Sequence, residues 1–173
     1  MPPGEPRPGA PLAGLAVRLA ALTYEALLLA AIGLATGFVM LPLITPLRGA
    51  VLVVPAAAGR WTLGVAVVAA WGAYAVWCWS GGRRTLPMKT WRLRLERRDG
   101  AALRKADALA RFAAAWIGPL AALGAFTLLH RRGHGVHAAS LLALNYAWAL
   151  VDPAGQFLHD RLARTRIVRD ARR

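Results

Sequence analysis

The chain has 173 residues, 57% of them hydrophobic, and a mean hydropathy of +0.42. Only 17% are charged, against about a quarter in an ordinary soluble domain, yet the net charge is +14. This pairing argues against an ordinary soluble fold and points to membrane spans joined by basic loops. The length excludes a large multidomain enzyme, and the single cysteine excludes an internal disulfide framework or a cysteine-based zinc site.

Residues 1–11 are rich in Pro and Gly and read as a disordered leader. The apolar run from Leu12 is too long for a secretory signal core and contains Glu25, so it reads as a retained span. Four uncharged stretches follow: Ala26–Leu47 and Trp61–Gly82, 22 residues each, and Phe112–His130 and Gly133–Val151, 19 each. A spanning helix needs ~20 mainly apolar residues. The pattern predicts an all-α membrane protein, a bundle of about four transmembrane helices over residues 12–43, 61–80, 112–130 and 136–152. The fourth is the weakest, because it opens on Gly133, His134, Gly135 and His137 and carries Asn145. Pro42 and Pro46 end the first. The 11 uncharged residues Gly49–Gly59 are too short to span and read as an interfacial connection.

With the N-terminus inside, four spans leave 18 Lys and Arg inside and 4 outside. This bias follows the positive-inside rule and places both termini in the cytoplasm. Between the second and third spans lies a basic cytoplasmic loop. Its charge suits anionic lipid headgroups rather than nucleic acid, since spans flank it. Trp91-Arg-Leu-Arg-Leu95 alternates with the period of a strand, and Asp99-Gly100 is a turn signal, so a local hairpin is expected. Ala101–Arg111 has helix-forming composition and leads into the third span. Residues 169–173 form a basic tail.

Arg18 and Glu25 stand seven residues apart, two helical turns, on one face. Glu25 lies about 10 Å further along the axis, in hydrocarbon if Arg18 sits at headgroup level. A carboxylate there needs a partner, water or a proton, which makes it a candidate ion or ligand site. Asp160 is the candidate to neutralise Arg18, with Asp152, His159 and Arg161 as secondary candidates. Asn145 is either interhelical glue or a lining residue of a path.

These residues together resemble the RDD family of small bacterial integral membrane proteins, named for one Arg and two Asp. Arg18-Leu-Ala-Ala-Leu-Thr-Tyr-Glu25 has the arrangement of the family's first span, with Glu for the first Asp. The segment QFLHDRLARTRIV is similar to the family's terminal HDRLAGT, with Asp160 as the second acid and Arg164 in place of Gly. GRRTLPMKTWRLRLERRDG resembles the family's GQTLGMKTWRL…DG loop, with Pro87 where Gly is common. The resemblance runs from about Leu15 to Val168 within a domain drawn at 12–168. It implies a bacterial inner-membrane protein involved in transport of an unidentified ion or small ligand.

His130, His134 and His137 have metal-ligand spacing, but Gly133 and Gly135 interrupt them and no acid completes a set, so no metal is expected. Gly33 and Gly37 form a GxxxG that permits close helix approach. No phosphate loop, HExxH or Ser nucleophile motif is present, and no enzymatic activity or cofactor is expected. Expected partners are the bilayer and a homo-oligomer mate or a second membrane protein. In the alternative reading the chain is a non-transporting accessory protein bound to such a partner.

Overall fold

Long unbroken apolar runs form helices here because a backbone in lipid must satisfy its hydrogen bonds within its own segment. The structure is a computed structural model that describes residues 11–44 and 56–170. Three helices are long and apolar enough to cross a membrane: α1 (Leu15–Ile44), α2 (Ala57–Trp79) and a helix over Lys105–Arg132. Leu34, Phe38 and Leu43 on α1 and Leu120, Leu123 and Leu128 on the third helix are exposed, as side chains facing lipid are. The leader up to residue 10, Pro46, most of the Gly49–Gly59 connection and residues 171–173 lie outside the described residues.

The third helix begins well before residue 112 and is broken at Trp116 into α4 (Lys105–Ala115) and α5 (Ile117–Leu129). Its start is set by Asp107, whose carboxylate accepts the Arg104 backbone N–H at 3.0 Å. The break has a cause in Pro119. Proline has no N–H, so the Ala115 carbonyl loses its donor four residues on.

The fourth apolar stretch is not one α-helix. It is a 3₁₀ segment over Gly135–Ala143, then α6 (Leu144–Ala147) and a further 3₁₀ turn, Trp148–Leu150. At ~2.0 Å per residue a 3₁₀ segment reaches further than an α-helix of equal length, so nine residues extend about 18 Å. This stretch runs antiparallel to α5, close enough that a Cβ on Gly118 would stand 3.0 Å from the Leu141 carbonyl oxygen. Only glycine permits that approach.

The helices pack in sequence. Trp71 of α2 donates its indole N–H to the Leu29 carbonyl of α1 at 2.8 Å, and Gly33 makes room for its ring. The GxxxG therefore seats a tryptophan rather than a bare helix crossing, and Gly37 faces open space. Phe112 of α4 covers Gly72, and Trp116 stacks on Trp71. Trp61 and Trp77 stay exposed, as interfacial anchors do, and Arg83 lies over the Trp77 ring.

The loop between α2 and α4 departs from the expected hairpin. A short helix α3 (Leu86–Thr90) is capped by Thr85, whose hydroxyl accepts the Met88 N–H. Then β1 (Leu93–Arg97) pairs antiparallel with β2 (Thr165–Arg169), at the far end of the sequence, Leu95 opposite Ile167. Leu93, Leu95 and Ile167 turn into the core, and Val168 is buried on the other face, where Leu12 bridges to it. Glu96 is 1% exposed and is neutralised by Arg166 at 2.8 Å and by Arg94. An all-α description therefore misses this two-stranded sheet, and the tail drawn from residue 169 begins inside β2. The sheet ties the start of α1, the loop and the C-terminal segment together at one end of the bundle. The same end receives α7 (Leu158–Leu162), which packs on α4.

Candidate functional site

A cavity of about 410 Å³ opens between α1, α2 and α4–α5, next to the sheet end. Its walls are mainly apolar and aromatic: Leu22, Leu29, Trp71, Trp79, Phe112 and Trp116. Arg18, Glu25, Tyr74, Arg111 and His159 bring polar atoms to it. An apolar hollow of this size with a few convergent polar groups is the usual form of a small-molecule site.

Arg18 and Glu25 both line the cavity, from one face of α1. Among the described residues neither forms an ion pair. Arg18 is 5% exposed; its guanidinium donates to the Gly155 carbonyl at 2.6 Å and lies over the Phe157 ring, and its Nε has no partner. Glu25 has Tyr74 and Thr85 beside it, and its buried Oε1 has no hydrogen-bond partner among the described residues.

Asp160 does not pair with Arg18. It accepts Arg111 Nε at 2.7 Å and the Thr165 hydroxyl at 3.0 Å, and is 1% exposed. Burial pushes its carboxyl up, but Arg111 and His159 beside it, with those hydrogen bonds, hold it below the usual range. Arg111 sits over the Trp79 ring and reaches His159 Nε2 at 3.2 Å. An arginine can only donate, so Nε2 accepts and the His159 proton resides on Nδ1. Burial lowers the His159 pKa to about 4, so it is neutral at pH 7; Asp160 opposes the shift and Arg111 adds to it.

Arg111 is the residue that sequence reasoning passed over. It was legible as the last charge before the third apolar stretch, but nothing local tied it to Asp160.

The remaining candidates stand outside the cavity. Asn145 donates to the Ala115 carbonyl at 2.7 Å, the group that Pro119 leaves without a donor. Asp152 accepts the backbone N–H groups of Ala154 and Gln156, each at 3.0 Å, and pairs with Arg161 at 3.5 Å. It therefore shapes the turn whose Gly155 carbonyl receives Arg18. His130 lies against Phe126, and His134 against His137. Among the described residues no three His, Cys, Asp or Glu come close enough to hold a metal.

Three helices long and apolar enough to cross a membrane mark the chain as a membrane protein. The model of the RDD family matches residues 12–164, and the chain belongs to that family. No curated protein and no solved structure matches it.

Proposed function

We propose that this RDD protein is a transport-related protein of the bacterial inner membrane, with four spans and both termini in the cytoplasm. The cavity beside Glu25 is the site at which it binds an ion or small ligand. One observation carries the reading: a carboxylate with no ion-pair partner among the described residues lines a hollow inside an apolar helix bundle. An intramembrane acid is costly, and such residues commonly mark ion or proton paths. The orientation rests on charge, since the sheet end gathers the basic loop and the basic C-terminal strand. Four crossings rarely enclose a whole alternating-access route, so a homo-oligomer or partner membrane protein completes the path. The chain acts without a cofactor and catalyses no reaction.

Reconstituted full-length protein in vesicles loaded with a pH dye tests this. A Na⁺ or K⁺ gradient is expected to drive proton movement that Glu25→Gln reduces at least tenfold. Vesicles holding protein shown to be folded and oligomeric, yet no leakier to these ions than empty ones, would leave the accessory-protein reading in its place.

A further inference from the structure

The cavity presents two opposite charges that, among the described residues, form no direct ion pair. Arg111 also lines it, but Asp160 at 2.7 Å cancels that charge. His159 is held neutral by burial and by accepting from Arg111. What remains is Arg18, positive, near the sheet end, and Glu25, two turns deeper. Their Cα atoms are about 10 Å apart along α1. That spacing leaves room between the two side chains for a small dipolar molecule that contacts both.

A bare inorganic cation would meet Glu25 but also the positive charge of Arg18. A bare anion would meet the reverse. A molecule bearing both charges satisfies both ends at once, and in a low-dielectric site each matched pair is worth far more than in water. The walls add to this. Trp71 and Tyr74 stand on the Glu25 side, and aromatic faces attract alkylammonium groups. Trp79 and Phe112 offer apolar surface for the body of such a molecule.

The geometry points to a zwitterionic small molecule as the ligand of this cavity: its anionic group on Arg18, its ammonium group at Glu25, its apolar body against the aromatic wall. This rests on the cavity being the ligand site proposed above. The ammonium group then competes with H⁺ or Na⁺ for Glu25, which gives a route to exchange of one for the other.

The tryptophans of the wall supply the readout. Purified full-length protein is titrated with phenylalanine, leucine and trimethylglycine, and with phenylalanine amide and N-acetylphenylalanine, while tryptophan emission is followed. At least one zwitterion is expected to give a saturable change. The amide and the N-acetyl compound, each lacking one charge, are expected to bind at least tenfold more weakly than phenylalanine. Arg18→Gln and Glu25→Gln are each expected to weaken the zwitterion at least tenfold. Arg18→Lys, which keeps the charge, recovers part of the loss and controls for folding.

Amide binding as tight as the zwitterion makes this a cation site and overturns the inference. N-acetyl binding as tight makes it an anion site and overturns the inference equally. No response to any zwitterion at 10 mM also overturns it. In all three cases cation-driven proton movement in vesicles stands as a separate test of the broader transport reading, which falls only if that movement is absent too.

Discussion

Arg111 and Asp160 lie 49 positions apart in the chain and meet at 2.7 Å in a buried pair that joins α4 to α7. Removing one partner of such a pair strands the other charge, at a cost of about 3–5 kcal/mol. Arg111→Met or Asp160→Leu should each lower the melting temperature in detergent by many degrees. The double change Arg111→Met with Asp160→Leu should recover much of the loss. Additive effects of the two sites would show that they are not coupled.

His159 gives the same cluster a pH response. Its pKa falls from 6.5 to about 4 on folding, so the unfolded chain binds more protons between those values. Stability should therefore be full above pH 6.5 and decline as pH falls toward 4, by up to about 3 kcal/mol. Asp160, whose folded pKa is lowered, releases its own contribution only below the ordinary carboxylate range. Melting curves against pH should lose the upper of these two declines in His159→Gln and keep the lower one.

Asn145 and Pro119 form a compensating pair. Asn145→Ala leaves the Ala115 carbonyl without a donor, which costs about 1–3 kcal/mol. Pro119→Ala supplies an N–H that can take that carbonyl into the helix. In the Pro119→Ala background, Asn145→Ala should cost less than half as much by thermal unfolding. An unchanged cost would mean that the asparagine acts elsewhere.

Arg164 stands in the left-handed region, at φ 54°, where the family segment HDRLAGT carries glycine. A non-glycine residue there is held at a cost of about 1–2 kcal/mol, part of which glycine returns as unfolded-chain entropy. Arg164→Gly should raise stability by roughly 0.5–1 kcal/mol in the same melting assay. A loss would show that its side chain contributes more than its backbone costs.

The parts of this fold that local pattern dictates were legible in the sequence. Uninterrupted apolar runs marked α1 and α2, and the two-turn spacing of Arg18 and Glu25 put both on one face, where both line the cavity. What depended on distant partners was not. The alternation in Leu93–Arg97 announced a strand, but the Asp99-Gly100 turn suggested a local mate, whereas Ile167, opposite Leu95, belongs to a distant one. Asp160 looked like the mate of Arg18 because the charge bias placed both at the same end of the spans. Arg111 reaches it from α4 instead, and no sequence spacing records that. The break at Trp116 could be read from Pro119, but its repair by Asn145 needed the fourth segment in place. That segment's 3₁₀ path has no periodic signature, since its composition differs little from an apolar helix.

Everything proposed for the cavity depends on Glu25 being a working site rather than a structural one. Infrared difference spectra of wild type against Glu25→Gln, in a bilayer, across pH and with Na⁺ or K⁺, address this directly. A carboxyl band that titrates and shifts with cation, absent from the variant, is the expected result. A carboxylate band indifferent to both would contradict it and make Glu25 a fixed element of helix packing.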